Sequence, residues 1–435
     1  MKKILLFTAA IFITVIFFNG CAEEKKESTK GDKLFDDSRI HTIHLFFNQK
    51  NYWDSLMIYK ALRDTDEVTK YLMCNVIIDS TAVYAIGLRF KGESSFDTKS
   101  KKKSFKLSLN QFNQKQDYDK IKNLNLNNNF KDPTMMREKL ILDFMRQQGL
   151  PAPRCAYAKV YVDNVYYGLY LMVEEIDKTF LNENFGNDTG NLYIGEPAAY
   201  LIYISEKKND YIRKYRKKSN FEEDDWADLI GLIFAMNGYG KSENYSENLD
   251  KVFNVESCLK TWAINNLFVN PDAYNMLYRH NFYLYHNSET GKFEWISYDY
   301  NFGFAAWNPR YKLEQIQNFD ILYVDEPQKE HAFAMNLLKN NDNYKNRYLE
   351  IMTELVEKDF ASGKLEPKID STANLIRKEV YADTMKFSSN EDFEKNLFED
   401  LGDVSDPGAF VPGLKPFIIK RRESVLKQLE VLKKK

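Results

Sequence analysis

The feature that most constrains the fold is a series of strand-like segments before about residue 180. Residues 40–47 and 74–90 alternate or run in β-branched and aromatic side chains, and "KSFKLSL", "CAYAKVYVD" and "YYGLYLMVEEID" continue the pattern. One helix interrupts them, with Asp132 as a cap, Pro133 in its first turn and "GLPAP" at its end. Later segments are mainly helical. The sequence therefore predicts an α+β protein with an N-terminal mixed β-sheet lobe and a mostly helical C-terminal lobe.

The chain has 435 residues, more than one typical core, so at least two folded regions are expected. Within the second region, "NFYLYH" and "KFEWISY" flank the polar turn "NSETG" and predict a hairpin. The predicted organisation is a signal peptide over 1–20, a charged tether over 21–37, the sheet lobe over 38–185, a polar insertion with one helix over 186–250, and the helical lobe over 251–431.

The first residues, "MKKILLFTAAIFITVIFFNGC", have the layout of a secretory signal. Two lysines precede an apolar run over 4–18 that is short for a membrane span. "FNGC" resembles a bacterial lipobox, in which Cys21 is lipidated; an uncleaved anchor is the alternative. In both cases we expect an extracytoplasmic protein attached to a membrane, at the outer membrane or the cell surface.

Charge and cysteine content exclude some classes of function. A net charge of −2 argues against a protein that coats nucleic acid, because such binding needs an excess of Lys and Arg. Beyond Cys21, the wide spacing of Cys74, Cys155 and Cys258 favours neither a zinc site nor a full disulfide framework. We interpret them as small buried hydrophobic residues, with one pair possible.

Three polar residues around the predicted hairpin suggest phosphoryl transfer. This chemistry uses carboxylate or amide oxygens to hold Mg²⁺ and a carboxylate near the attacking hydroxyl. Asp272 follows a predicted helix, Asn281 begins the hairpin and Asp299 ends it. Because a hairpin brings its two ends together, Asn281 and Asp299 should lie close in space, with Asp272 one loop away. This order matches that of a protein-kinase catalytic loop, although Asp299 could instead cap the turn that follows.

Lysines and strand-end acids are weaker candidates. "KSKKKSFKLSL" places Lys103 and Lys106 on opposite faces of one strand, so one could face a nucleotide, while a lysine run is also typical of a solvated face. "YGLYLMVEEID" ends in Glu174 and Glu175. Either one of these acids pairs with a lysine at a hinge, or both are exposed.

Longer blocks of the sequence resemble a known family. "RFKGESSFDTKSKKKSFKLSL", "LNLNNNFKDPTMMREKLILDFMRQQGLPAPRCAYAKVYVDNVYYGLYLMVEEID", "HNFYLYHNSETGKFEWISYDYNFGF" and "GLKPFIIKRRESVLKQL" are similar, in this order, to the spore-coat protein H (CotH) kinase family. The chain would be a lipoprotein member. The resemblance implies an atypical protein-kinase-like, two-lobe fold that uses ATP and Mg²⁺ or Mn²⁺ to phosphorylate hydroxyl side chains of secreted or surface proteins.

The resemblance also implies roles for individual residues. Asp272 would be the catalytic base and Asp299 a metal ligand. Lys103 would bind the phosphates, and Lys106 is the second choice for that role. The resemblance also implies that Glu174 binds the cofactor and that Asn281 is a metal ligand. These two roles rest on the order of the residues along the chain and not on a sharp motif.

Two positions depart from the family pattern. Asn301 stands where the family often has a second Asp, and Tyr298 where it often has Trp. The loss of a negative charge at position 301 should weaken divalent-metal binding.

Three functions are therefore compared. The first is an extracytoplasmic kinase, for which ATP is scarce outside the cytoplasm. The second is a non-catalytic, kinase-like surface lipoprotein that binds a surface protein or polysaccharide. The third is metal-dependent hydrolysis by His280, Asp272 and Asp299. It is disfavoured because His280 and His286 share a strand face but lie too far apart for one metal.

Overall fold

The computed structural model describes residues 30–434 except 67, 197–198, 239, 308–309, 326, 362 and 403–409. The predicted signal peptide, most of the tether and Cys21 lie outside the described residues, so their predictions stay predictions. In the described part of the chain, no helix is both long and apolar enough to cross a membrane.

The N-terminal region contains seven strands and three helices. In chain order they are β1 (His41–Phe46), α1 (Tyr52–Asp66), β2 (Leu72–Ile78), β3 (Thr81–Lys91), β4 (Ser104–Ser108), β5 (Asn123–Asn127), α2 (Arg137–Gln147), β6 (Cys155–Val162), β7 (Val165–Glu174) and α3 (Lys178–Phe185).

The strands of this region close into a barrel with the order β1-β2-β3-β4-β5-β7-β6. Strands β1 and β6 pair in parallel, and all other neighbours are antiparallel. Alternate side chains point into the barrel and form a buried core that includes Leu88, Phe105, Leu126 and Met172.

The outward face of β3, β4 and β5 is polar. Register pairs Arg89 with Lys106 and Lys106 with Asn125, so these side chains lie on one face, opposite the apolar ones. Lys91 and Asn127 follow two residues along their strands on the same face. This polar face carries part of the candidate site described below.

The rest of the chain contains a second sheet and most of the helices. Its elements are β8 (Leu192–Gly195), β9 (Tyr215–Lys217), α4 (Ala227–Met236), α5 (Tyr245–Val252), α6 (Val255–Leu267), β10 (Phe282–Asn287), β11 (Lys292–Ser297), α7 (Leu313–Gln317), α8 (Ala332–Met335), α9 (Asp342–Lys358), α10 (Glu366–Ala382), α11 (Asn390–Lys395), β12 (Leu401–Gly402), β13 (Phe410–Val411) and α12 (Leu414–Lys433). Short 3₁₀ turns lie at Lys208–Asp210 and Gln328–His331, and a π turn at Asn336–Asn340.

The second sheet has the order β11-β10-β8-β9 and is antiparallel. Strands β10 and β11 form the predicted hairpin, with Phe282 opposite Ser297. The region over 186–250, expected to be an insertion with one helix, instead contributes β8 and β9 to this sheet and two helices beside it. It is therefore part of the framework that supports the hairpin.

A second core joins the barrel to the helices. Side chains of α2, β7, α6, α9 and α12 share one buried apolar cluster. A fully buried ion pair adds to this junction, since Lys102 Nζ lies 2.5 Å from Asp383 Oδ2. Gly168, at a φ of 128°, is required there, because a Cβ would come within 2.6 Å of the Asp383 carboxylate.

The predicted α+β class is confirmed, and the predicted kinase-like arrangement is corrected. The chain is α+β, with strands concentrated before residue 180 and helices after it. The expected kinase-like two-lobe arrangement is wrong, because the N-terminal strands close into a barrel instead of forming an open sheet lobe. Closure depends on the parallel pairing of β1 with β6, more than 100 residues apart in sequence, for which local patterns carry no signal. Cys74, Cys155 and Cys258 are buried, as expected, and within the described part of the chain none of them forms the disulfide that the sequence left possible.

Candidate functional site

Asp272 lies in the loop between α6 and β10 and is held by two neighbours. Its Oδ1 lies 2.5 Å from His280 Nε2, and its Oδ2 accepts a hydrogen bond of 2.9 Å from Asn281 Nδ2. Asn281 has a φ of 62°, a left-handed conformation that asparagine tolerates better than most residues. The Asp272 carboxylate is thus fixed in orientation at the mouth of the hairpin.

Asp299 stands at the other end of the hairpin, directly beyond β11. The Tyr298 amide donates to the Asn281 carbonyl over 3.2 Å, which places the two hairpin ends together as predicted. Burial, and next the charge of Asp272, raise the pKa of Asp299 to about 6, while Lys91 and His280 oppose the rise. Asp272 and Asp299 therefore share one electrostatic environment.

Lys91, which was not predicted as a site residue, belongs to the same electrostatic environment as Asp299. Its Nζ donates to Asn127 Oδ1 over 3.0 Å, and Asn127 Nδ2 donates to Glu138 Oε2 over 2.8 Å. Burial lowers the pKa of Lys91, and the charges of Asp299, Glu175 and Glu138 oppose this. An amide thus stands between the lysine and the carboxylate of α2.

Glu138 is buried at the start of α2, only 7% exposed. Burial, and next the charge of Asp299, raise its pKa to about 7, although Asn127 and the Tyr300 amide donate hydrogen bonds to it. For Lys91 and Asn127 a signal was present in "RFKGESS" and "LNLNNN", whose polar positions alternate with inward apolar ones; Glu138 lies outside both stretches. Sequence alone does not show which polar side chains of a strand become buried.

The two lysines predicted from the sequence lie elsewhere, Lys106 on β4 and Lys103 directly before it. Lys106 pairs with Glu175, which also accepts a hydrogen bond of 2.8 Å from Asn125 Nδ2. Lys103 is on the opposite face, and its ammonium donates to the carbonyls of Phe96 and Thr98. Lys103 is therefore engaged by backbone oxygens, whereas Lys91 is a lysine whose charge acts on Asp299.

The strand-end acids also differ from expectation. Glu174 accepts hydrogen bonds from Arg154 Nη2 at 2.5 Å and Nε at 3.0 Å, so it is committed to a different ion pair. Glu175 is the acid that meets a lysine, because successive side chains of a strand point to opposite sides. A strand-end acid does pair with a lysine, as one of the two alternatives predicted. It is Glu175, one residue after Glu174, which was predicted for the site.

A small cavity lies beside the Lys106–Glu175 pair. Its volume is about 190 Å³, and its wall combines apolar Ile176, Leu181 and Leu192 with polar groups. The polar wall includes Lys106, Asn123, Glu175, Asp177, Lys178, Lys218 and Ser219. Burial, and next the charge of Lys106, lower the pKa of Lys218 to about 8. A larger cavity of about 520 Å³ lies by Gln148 and Lys260 and contains none of the predicted site residues.

Oxygen donors for a cation are present around Asp299. Asn301 Oδ1 is buried and has no hydrogen-bond partner among the described residues, which is unusual for an amide oxygen. Asn281 donates its Nδ2 to Asp272, so its amide oxygen is the atom that remains for a ligand. These groups and Asp299 fit the oxygen chemistry that Mg²⁺ and Mn²⁺ prefer. Across the described ranges, no three His, Cys, Asp or Glu side chains cluster as a metal cage.

The two histidines of β10 and its approach do not form a metal pair. His280 contacts Asp272, whereas His286 Nδ1 lies 3.0 Å from Asp228 Oδ2. Their separate partners agree with the argument that the two histidines lie too far apart for one metal, and of the two His280 is the one at the candidate site.

Comparison with known proteins gives the family. The sequence model for "CotH kinase protein" matches residues 88–425, which is most of the chain. The chain belongs to the CotH kinase family. It is 29% identical over 365 residues to inner spore coat protein H of Bacillus subtilis, covering 83% of this chain and 93% of that protein.

Two fungal proteins are also similar. Invasin CotH2 of Rhizopus delemar is 21% identical over 425 residues, covering 92% of this chain and 69% of the invasin. Invasin CotH3 of the same fungus is 23% identical over 256 residues, covering 56% of this chain and 42% of the invasin. The family match confirms the resemblance seen in the sequence, while the lipoprotein prediction concerns residues outside it.

Proposed function

We propose that this CotH-family protein is an extracytoplasmic kinase that transfers phosphate from ATP to hydroxyl groups of a secreted or surface protein. The observation that carries the proposal is that Asp272 and Lys91 both act electrostatically on Asp299. Among the residues that the structure describes, Lys91 has no direct carboxylate partner and contacts Asn127 instead. Phosphoryl transfer needs a cation on the phosphates, a metal-binding carboxylate and a carboxylate at the attacking hydroxyl.

Asp272 would act on the acceptor hydroxyl. His280 and Asn281 each occupy one carboxylate oxygen, and a carboxylate retains further lone pairs for a third partner. In the proposed reaction the hydroxyl oxygen bonds to the γ-phosphorus and its proton passes to Asp272. The bond from the γ-phosphorus to its bridging oxygen breaks, and ADP leaves with that electron pair.

Lys91 would bind phosphate oxygens. Asn127 holds its ammonium without neutralising it, and Glu138 fixes Asn127 from the other side. A full positive charge thus remains for an incoming anion, and burial strengthens its attraction. Lys106, with Glu175 as its partner, is the poorer candidate for this role.

Asp299, with the amide oxygens of Asn301 and Asn281, would hold Mg²⁺ or Mn²⁺. The raised pKa of Asp299 and the unpartnered Asn301 oxygen support this assignment. A divalent ion bound there supplies positive charge against the phosphates of the donor. Asn301 contributes a neutral oxygen where the family often has a carboxylate, so we expect weaker metal affinity than with an Asp.

The base and ribose of ATP would lie towards the small cavity by Lys106 and Glu175. Its apolar residues Ile176 and Leu192 suit a flat aromatic ring, and its polar residues suit ring nitrogens and sugar hydroxyls. Glu175, in the wall of this cavity, also acts electrostatically on Lys91, so the cavity and the candidate phosphate site lie within electrostatic range of each other.

The proposed location depends on the N-terminal sequence and on relatives. A spore-coat protein and two invasins are among the similar proteins, and the first residues resemble a lipoprotein signal with Cys21 as the lipidated residue. These features support a protein attached to a membrane and facing the extracytoplasmic side, with a surface protein as its acceptor.

The experiment is to incubate the purified protein with ATP labelled in the γ-phosphate, Mg²⁺ or Mn²⁺, and a generic hydroxyl-containing protein. We expect metal-dependent transfer that falls by about 10²- to 10⁴-fold in Asp272→Asn, the range typical of a lost general base. Asp54→Asn, an exposed change on α1, is the matched control and should retain full activity. Absence of transfer by the folded wild-type protein with every donor and metal tried would refute the proposal and favour a non-catalytic binding role.

A further inference from the structure

Lys131, in the loop between β5 and α2, is surrounded by aromatic rings. Its Nζ lies 4.7 Å from the ring centre of Trp307, 5.6 Å from that of Phe130 and 5.8 Å from that of Phe302. Across the residues that the structure describes, its ammonium has no hydrogen bond or ion pair, and burial lowers its pKa without an opposing carboxylate. A half-buried cation therefore faces only aromatic rings and the space beside them.

The backbone fixes Lys131 in this position. Lys131 and Asn129 both have a φ of 59°, a conformation that non-glycine residues rarely adopt. The neighbouring carboxylate, Asp132, is fully used at the start of α2, where it accepts hydrogen bonds from the amides of Thr134 and Arg137. The local sequence thus supplies a carboxylate, yet the fold directs it away from Lys131.

A line of stacked rings connects this lysine to Asp272. Trp307 stacks on Tyr278 at 5.8 Å with an interplanar angle of 11°, and Tyr278 stacks on His280 at 5.7 Å. His280 contacts Asp272 directly. We call Lys131, Tyr278, Phe302 and Trp307 the Lys131 platform; it begins one ring away from the carboxylate proposed to receive the hydroxyl proton.

The platform is distinct from the proposed nucleotide site. The charges that act most on Lys91 are Asp299, Glu175, Glu138 and Lys106, and Lys131 is not among them. The line of stacked rings joins Lys131 to Asp272 instead, so the platform is assigned to the acceptor and not to the donor phosphates.

The contacts that already cover the Trp307 ring limit the class of ligand that the platform can bind. Trp307 is already in contact with Tyr278, Phe302 and the Lys131 ammonium, so it has little ring face left on which a sugar could stack. What the platform offers is a positive charge in an aromatic, partly dry setting. A carboxylate side chain suits this setting better than a neutral sugar, because a charge-assisted hydrogen bond gains strength when water is excluded.

We propose that the Lys131 platform binds an acidic side chain next to the acceptor hydroxyl, so that the preferred acceptor is an acidic peptide. This inference rests on the proposed kinase function, since it assigns the acceptor of that same site. Lys131 is then a specificity-determining residue, while Asp272 remains the group that touches the reacting hydroxyl.

The test compares three peptides that differ only around one serine, which is flanked by Asn, by Glu or by Lys residues. Direct binding of each peptide to the full chain is measured by titration calorimetry, and transfer is measured as kcat/KM with γ-labelled ATP. We expect the acidic peptide to bind about tenfold more tightly than the neutral one, as for one charge-assisted contact. Lys131→Gln should abolish this preference and Lys131→Arg should retain it. The matched control Lys427→Gln, an exposed change of equal charge on α12, should leave it intact.

The outcomes separate this inference from the proposed function. Transfer without charge preference, or equal preference in Lys131→Gln and Lys427→Gln, would overturn the inference and leave the kinase standing. Charge-selective binding that depends on Lys131, with no transfer to any peptide, would establish the platform and refute the kinase. Tighter binding of an acidic polysaccharide than of the acidic peptide would also overturn the inference. The nucleotide affinity of Lys131→Gln should equal that of wild type, which shows that the variant is folded.

Discussion

Two lysine–asparagine–glutamate sets lie side by side on the polar face of the barrel, and they differ in one respect. In the first set, Lys106 contacts Glu175 directly and Asn125 donates to the same carboxylate. In the second set, Lys91 contacts Asn127, and only the amide reaches Glu138. We refer to the first as the closed set and the second as the open set.

This difference has electrostatic consequences. In the closed set, burial raises the pKa of Glu175, but the charges of Lys106 and Lys218 and the hydrogen bonds from Lys106 and Asn125 together outweigh it and hold the pKa at about 2. In the open set, burial and the charge of Asp299 raise the pKa of Glu138 to about 7. The same residue types, two positions apart on β5, thus form either a satisfied ion pair or a cation free to bind a ligand. We infer that the Asn127 amide, between Lys91 and Glu138, keeps the Lys91 ammonium available for a ligand.

The largest expected effect concerns activity. Lys91→Met should reduce phosphate transfer by about 10³-fold, because it removes a fixed cation from the donor phosphates. Lys106→Met should reduce transfer by less than about tenfold, since Glu175 already neutralises Lys106. Transfer is measured at a temperature at which both variants are folded by circular dichroism. Equal losses in the two variants would remove the functional distinction between the open and closed sets.

The next effect concerns stability and its dependence on pH. Glu175, with a folded pKa of about 2 against an ordinary 4.5, contributes stability that is present above pH 4.5 and lost as pH falls towards 2. At pH 7, Glu175→Gln should therefore lower the free energy of unfolding by about 3 kcal/mol, and Lys106 is left unpaired.

Glu138 should show the opposite sign. Its folded pKa of about 7 means that the protein loses stability as pH rises from 4.5 to above 7, because a buried carboxyl must ionise. Relative to wild type, Glu138→Gln should gain about 3 kcal/mol of stability between pH 4.5 and pH 8. Denaturant unfolding at both pH values measures the two variants. Parallel pH profiles for Glu138→Gln and Glu175→Gln would contradict the comparison.

Contacts that depend on local geometry were predicted from the sequence, whereas contacts between distant segments were not. The hairpin between β10 and β11 guaranteed that Asn281 and Asp299 meet, and both the turn and the pairing follow from local patterns. The barrel was missed because its closure depends on β1 meeting β6 across a long stretch of chain. Glu174 was preferred to Glu175 because strand parity at the end of β7 is set by register with β5, which a single sequence does not show.

Lys91 was missed for a related reason. Lysine runs attract attention to "KSKKKSFKLSL", although a functional lysine is more easily recognised by burial than by clustering. The carboxylates whose charges act on Lys91 include Asp299 and Glu138, which come from distant parts of the sequence. Only the assembled structure brings the three charges together.

The smallest effect tests the amides themselves. Asn125→Ala removes one hydrogen bond to a carboxylate that Lys106 still holds, so it should cost about 1 kcal/mol of stability and change transfer less than about twofold. Asn127→Ala should cost a similar amount of stability but reduce transfer by about tenfold, because without the amide Lys91 is free to pair with Glu138. The pairing has its own signature, since it should return the pKa of Glu138 towards its ordinary value and abolish the stability gain of Glu138→Gln at pH 8. If Asn127→Ala retains full transfer, the amide does not keep Lys91 available, and the open set owes its function to Asp299 alone.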